Sequence, residues 1–341
     1  MRRGPRVVAI GGGTGLSTLL RGLKTVTSNI TAIVTVADDG GSSGRLRAEM
    51  GMPPPGDVRN TLVALADTEP LMERLFQYRF DTGSGLKGHS FGNLFLAAMT
   101  AITGDFERAV RESSKVLAVR GQVLPSTLES VTLVAEFADG TRARGESQVA
   151  QTGKRIRRVY LSPPDARPLA DALRALREAD IVILGPGSLY TSVLPNLLVP
   201  GIAETIGNSR AMRVYVCNVM SQPGETDGYR ASDHVRALLE HAGSGIVDYV
   251  LMNSGRVPSN VEEKYRREGA HPVQADVQAV RDLGVVPVCR YLLSHSDFAR
   301  HDPHRLAAAI RDMWETHRAA SRARPVRTAC RPAAGRRRQG R

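Results

Sequence analysis

Short runs of Val, Ile, Leu and Ala recur along the chain at Arg6–Ile10, Thr31–Ala37, Asp180–Leu184, Arg213–Val219, Val247–Met252 and Val285–Arg290. Each is too short for a helix, and Gly, Asn, Ser or Asp stands at or just past its end. Unbroken apolar runs of this length fit strands buried on both faces, as in parallel sheets. Between them lie segments with apolar residues at helical spacing: Leu16–Leu23, Val58–Ala66, Phe91–Thr103, Ala166–Ala179 and His234–Ala242. Strands alternating with helices predict βαβ units and an α/β fold, a Rossmann-like, doubly wound, mainly parallel sheet. One stretch breaks this rhythm. From Ser130 to Gly145 the pattern has a period of two around Asp139-Gly140, a hairpin turn signal, and a further strand, Ile156–Leu161, follows. Residues 128–162 are therefore expected to form an antiparallel hairpin insert or an extension of the main sheet. No internal repeat is visible.

Composition narrows the class. The chain has 341 residues, 42% hydrophobic and only 5% aromatic, which fits an aliphatic α/β core better than an aromatic-rich sandwich. No apolar run approaches the ~20 residues needed to span a bilayer. The opening apolar run passes straight into a glycine loop, so it reads as a strand and not a signal peptide. These features point to a cytoplasmic protein without a membrane span. Cys217, Cys289 and Cys330 are far apart and form no CxxC pair, so neither a disulfide framework nor a zinc site is indicated. The net charge of +12 is concentrated at one end: nine arginines and no acid follow His317, leaving +12 − 9 = +3 for residues 1–317. Residues 1–317 are expected to form one domain. Residues 318–341 are expected to be a disordered basic tail, and only that tail is suited to nucleic acid or an anionic membrane surface.

The candidate chemistry lies in loops that follow the predicted strands. Gly11-Gly12-Gly13-Thr14-Gly15 joins the first strand to an amphipathic helix, where glycines let the backbone approach a phosphate and the helix N-terminus offers free N–H groups. It is neither a full G-x-G-x-x-G fingerprint, since Leu16 takes the last glycine position, nor a Walker loop. The second strand ends in Asp38-Asp39-Gly40-Gly41-Ser42-Ser43-Gly44. Acids here can bond ribose hydroxyls, hold a divalent cation or cap a helix. Gly56-Asp57-Val58-Arg59-Asn60 places a cap and polar groups before a helix, as does Gly88-His89-Ser90-Phe91-Gly92-Asn93. His89 is either a general acid–base group or a positioning group. Gly185-Pro186-Gly187-Ser188-Leu189-Tyr190-Thr191 follows the Asp180–Leu184 strand. Two glycines around a proline make a rigid loop, and the hydroxyls of Ser188, Tyr190 and Thr191 are expected to point outward toward a pyrophosphate or phosphosugar.

Taken in order, these five motifs resemble those of the bacterial YvcK-like gluconeogenesis factors, within the superfamily of 2-phospho-L-lactate transferases (CofD-like). The resemblance covers roughly residues 6–317. It implies a Rossmann-like core that binds a UDP-sugar, notably UDP-N-acetylglucosamine, and a role in cell shape and peptidoglycan supply on gluconeogenic carbon sources. By position it implies ligand binding by Gly11, Gly12, Gly13, Thr14, Gly15, Asp38, Asp39, Asn60, His89, Asn93, Gly185, Gly187, Ser188, Tyr190 and Thr191. Tyr265 and Arg300 match positions linked to the sugar nucleotide. The family often has a phosphorylatable threonine shortly after Arg-His-Asp. Here Arg300-His301-Asp302 is followed by Pro303 instead. The expected partners are a small-molecule nucleotide sugar and further copies of the chain in a homo-oligomer. A ligand-binding regulatory factor is expected. The alternative is a metal-dependent phospholactate transferase with a nucleotide-diphosphate donor and Mg²⁺ at Asp38 or Asp39. An NAD-dependent oxidoreductase fits poorly, because the fingerprint is broken.

Overall fold

The structure is a computed structural model that describes residues 4–67, 70–294 and 298–323. Seven parallel strands form the main sheet: β1 (Val7–Gly11), β2 (Ile30–Val34), β3 (Gln122–Pro125), β7 (Ile181–Leu184), β8 (Met212–Val216), β9 (Tyr249–Asn253) and β10 (Val286–Arg290). Three further strands, β4 (Thr132–Phe137), β5 (Arg142–Arg144) and β6 (Ile156–Ser162), form a separate antiparallel sheet in the order β5-β4-β6. The predicted hairpin is therefore present, but it does not extend the main sheet. Gly140 at its turn has φ of 82°, the conformation that the Asp-Gly pair supplies.

The main sheet runs β10-β9-β8-β7-β1-β2-β3. From β1 the chain steps outward through β2 to β3. After β7, which lies on the other side of β1, it steps the opposite way through β8 and β9 to β10. The β1/β7 boundary is thus a topological switch point, where loops at the carboxyl ends of the strands part and leave a crevice.

Both faces of the sheet are covered, which accounts for the unbroken apolar runs. Val7, Ala9, Ile181 and Ile183 join one buried cluster with Leu16, Leu20, Leu62 and Leu306. Val8, Ile10, Val182 and Leu184 join the other, with Leu176, Ile206 and Leu238. The small sheet contributes Leu133, Phe137, Val159 and Leu161 to this second cluster, so it is built into the same core. Helix Gly13–Leu23 lies directly on the last helix, Pro303–Ala323, and a Cβ at Gly22 would collide with the Pro303 backbone. That last helix continues six residues past the boundary expected at 317; the remaining tail, 324–341, lies outside the described residues, as does Cys330. No helix among the described residues is long and apolar enough to cross a membrane.

Candidate functional site

A cleft of about 400 Å³ opens at the switch point, above the carboxyl ends of β1, β7 and β8. That volume lies within the usual range for small-ligand sites. Gly12, Gly13, Thr14 and Gly15 line one wall, and Pro186, Gly187 and Ser188 line the next. The two loops touch. A Cβ at Gly15 would sit 2.6 Å from the Pro186 carbonyl oxygen, so only glycine allows the approach.

Neighbouring side chains fix both loops. Gly12 begins the helix without a side-chain cap of its own, and Asp57 supplies one from the next helix but one: the Gly13 N–H donates to Asp57 Oδ1 at 2.9 Å. On the other wall, Asn218 Oδ1 accepts from the Gly187 N–H at 3.3 Å, and Asn218 Nδ2 donates to the Gly187 carbonyl at 2.9 Å. Gln222 Nε2 donates to Ser188 Oγ at 2.6 Å. The loop after β8 thereby holds the Gly-Pro-Gly-Ser loop in place.

Asp38, Asp57 and Glu146 face the cleft together. Burial, with Asp38, Asp57, Glu225 and Asp39 nearby, raises the Glu146 carboxyl from 4.5 to about 9. Burial and Asp38 raise Asp57 to about 7 against the opposing pull of the Gly13 N–H and Arg59. At neutral pH Glu146 is therefore protonated and Asp57 half so, which mutes the negative charge of this wall. Arg300 stands at the mouth, exposed, with its guanidinium 4.9 Å from the Phe298 ring and no carboxylate partner among the described residues. A larger hollow, about 750 Å³, lies at the amino ends of the strands, but Arg6 there already pairs with Asp180 and Glu178. It has no glycine loop aimed into it.

The sequence comparison rests on the same scaffold. The family described as 2-phospho-L-lactate transferase CofD matches residues 7–293. The chain belongs to the CofD family. It is 57% identical over 305 residues to the gluconeogenesis factor of Halalkalibacterium halodurans, covering 89% of this chain and 95% of that one. It is 54% identical over 314 residues to the gluconeogenesis factor of Bacillus subtilis strain 168, covering 92% and 99%. A crystal structure of a Bacillus halodurans protein matches at 56% identity with a TM-score of 0.88, over 90% of this chain and 99% of that one.

Of the residues that the family resemblance singled out, Gly12, Gly13, Thr14, Gly15, Asp38, Gly187, Ser188, Tyr265 and Arg300 line the cleft. The others do not. Gly11 and Gly185 lie behind the walls, where the Gly185 N–H donates to the Ile10 carbonyl at 2.8 Å. Tyr190 and Thr191 point inward and not outward as expected, because the buried Glu225 captures them. Glu225 Oε1 accepts from Thr191 Oγ1 at 3.0 Å, its Oε2 accepts from the Tyr190 N–H at 3.3 Å, and the Tyr190 and Tyr229 hydroxyls bond at 2.8 Å. Asp39 turns to the small sheet's helix, Glu146–Gln151, and accepts from Ser147 N–H at 2.9 Å and Ser147 Oγ at 2.8 Å. His89 is buried and bonded through Nδ1 to Ser42 Oγ at 3.0 Å, which accepts in turn from Asn93 Nδ2 at 3.0 Å. Asn60 Oδ1 accepts from Arg59 at 2.8 Å. His89 and Asn93 tie the helix Gly41–Met50 to the start of the helix Phe91–Thr103, Asn60 bonds within its own helix, and none of the three lines the cleft. The cleft residues that sequence reasoning misses, Glu146, Asn218, Gln222 and His301, sit in segments without a glycine signature; the sequence shows Asp57 only as a cap for its own helix.

Proposed function

We propose that this protein is a gluconeogenesis factor whose cleft binds a nucleotide sugar of the UDP-N-acetylglucosamine class and that it acts as a cytoplasmic regulatory factor tied to cell shape and peptidoglycan supply. One observation carries the ligand class: two glycine loops and a helix N-terminus converge at the switch point opposite Arg300, which has no carboxylate partner among the described residues. Backbone N–H groups and a guanidinium arranged in this way suit a diphosphate. The choice of UDP-sugar rests on the family resemblance, and the regulatory role on that resemblance together with the name, gluconeogenesis factor, of the two relatives reported above.

The phospholactate-transferase reading rests on the family description and on the three acids at one wall. These acids do not make a metal cage. Among the described residues no three His, Cys, Asp or Glu side chains converge to hold a metal ion. Calorimetric titration with UDP-N-acetylglucosamine, GDP, GTP and NAD tests the proposal. UDP-N-acetylglucosamine should bind most tightly; equal or tighter binding of NAD or GDP overturns the assignment.

A further inference from the structure

Three half-buried polar side chains on the cleft wall, Asn218, Gln222 and Ser188, form a chain of hydrogen bonds with a fixed direction. The chain starts at the backbone of Gly187, where donor and acceptor cannot be exchanged. Asn218 Oδ1 accepts from the Gly187 N–H at 3.3 Å, and Asn218 Nδ2 donates to the Gly187 carbonyl at 2.9 Å. The two ends of the Asn218 amide are thereby assigned. Asn218 Nδ2 also donates to Gln222 at 3.2 Å. An amide nitrogen only donates, so the Gln222 atom that it meets is the carbonyl oxygen, Oε1. The other end of that amide, Nε2, lies 2.6 Å from Ser188 Oγ and donates to it. Ser188 thus spends a lone pair on Gln222 and keeps its own proton, which finds no acceptor among the described residues.

Fixed backbone holds both ends of the chain. The Ser188 carbonyl accepts from the N–H groups of Ser192 and Val193 at 2.9 Å each. The Gln222 N–H donates to Thr226 Oγ1 at 2.9 Å, and the Gln222 carbonyl accepts from the Thr226 N–H at 2.9 Å. What remains free is the rotation of the Ser188 hydroxyl about its own bond. Gln222 presents it with a donor, so the hydroxyl hydrogen turns away from Gln222. Anionic oxygens in the cleft are suitable acceptors, because a hydrogen bond to a charged group is stronger than one between neutral groups. An acceptor at the Nε2 position would do the opposite and draw the proton away from the ligand.

We propose that Gln222 is a positioning residue for the ligand's diphosphate: by donating to Ser188 Oγ it commits the Ser188 hydroxyl to donate to a phosphate oxygen, and Asn218 keeps Gln222 in that sense. This rests on the diphosphate reading of the cleft. The test is a double-mutant cycle, read by calorimetry at pH 8 with UDP-N-acetylglucosamine and with UDP, and by thermal melts. Ser188→Ala should raise both Kd values about tenfold, the scale of a hydrogen bond to a charged group. Gln222→Glu keeps the shape and the acceptor for Asn218 but replaces the donor by an acceptor. It should cost at least about tenfold on wild type, yet no more than about threefold on Ser188→Ala, where only the added charge acts. Gln222→Met removes the donor without adding charge, and should cost about threefold on wild type and nothing on Ser188→Ala. All melts should stay at the wild-type value.

The proposal is overturned if both Gln222 variants bind as wild type does, or if they lose as much affinity on Ser188→Ala as on wild type. Losses confined to UDP-N-acetylglucosamine, with UDP unaffected, would place the Ser188 contact on the hexose and overturn it too. A collapsed melt in both Gln222 variants is the mark of a structural role and has the same consequence. A wild-type protein that binds no diphosphate ligand removes the parent reading together with this one. Normal wild-type binding with indifferent Gln222 variants removes the Gln222 assignment alone.

Discussion

Glu146→Gln should make the folded protein more stable, and by an amount that grows as the pH rises. Glu146 is the first residue of helix Glu146–Gln151. A helix N-terminus favours a negative charge there by about 0.3–1 kcal/mol. Burial and the surrounding carboxylates act the other way and dominate, lifting the pKa from 4.5 to about 9. The unfolded chain loses this proton above pH 4.5, while the native protein keeps it until about pH 9. Between those limits the native state holds one proton more than the unfolded state, so stability falls as pH rises, by at most about 1.36 kcal/mol per unit. From pH 5.5 to 7.5 that is about 2.7 kcal/mol. Glu146 is partly solvent-accessible, and halving the figure for screening leaves roughly 1.4 kcal/mol. At about 2–4 °C per kcal/mol for a large domain, the gap in Tm between variant and wild type should widen by about 3–5 °C over this range. Comparing the two proteins removes the contribution of His234 and His301, which burial holds neutral and which lower stability in acid. Thermal melts at three pH values suffice. A Tm gap that stays constant with pH would show that Glu146 is ionised in the native protein and refute the reasoning.

Three further outcomes follow from the cleft. Arg300→Ala should weaken UDP-N-acetylglucosamine binding at least tenfold, the scale of roughly 1.5–3 kcal/mol for a hydrogen bond to a charged group, with an unchanged melt because the residue is exposed; paired titration and melting check both halves. Gly187→Val should abolish binding in a folded protein, because φ at this position is 153° and the new Cβ would lie 3.3 Å from the Gly12 carbonyl oxygen; wild-type affinity in a folded variant would show that this loop does not meet the phosphates. Asp57→Asn keeps an oxygen for the Gly13 N–H but removes a charge that titrates near pH 7. It should bind the diphosphate ligand about fivefold more tightly than wild type at pH 8, roughly 1 kcal/mol. The two proteins should converge at pH 6, where wild-type Asp57 is neutral, and calorimetry at both pH values reads the difference.

How much was legible in the sequence depends on which force placed each segment. Five of the six apolar runs are strands buried on both faces of the sheet, and that signal is local; the sixth forms the half-exposed edge strand β10. β3 carries no such signal: Gln122-Val-Leu-Pro is four residues with a polar start and a proline, as an edge strand permits. Asp38–Gly44, with three glycines and two serines, reads as a ligand loop, but Gly41 to Gly44 open the helix Gly41–Met50. In that helix Ser42 is buried against His89 and Asn93, and Arg47 donates to the Val131 carbonyl, just before β4, at 2.7 Å. Tertiary contacts there override weak helix propensity. Glycine walls can be read from sequence because close backbone approach demands glycine. The side chains that fix those walls cannot, since Asp57, Asn218 and Gln222 act on loops 44, 31 and 34 residues away.

The placement of the cleft follows from strand order, and its selectivity from the charge within it. Because β1 and β7 are neighbours whose following chains lead to opposite edges of the sheet, two glycine loops far apart in sequence must meet above them. That geometry alone would accept any diphosphate. The acids alter this. With Glu146 protonated and Asp57 half-protonated at neutral pH, the wall is a set of hydrogen-bonding groups more than a block of charge, and it tolerates phosphate while still offering donors and acceptors. On the proposed reading, phosphate affinity resides in the loops and Arg300, while discrimination among ligands that share a diphosphate falls to the neutral polar groups around them.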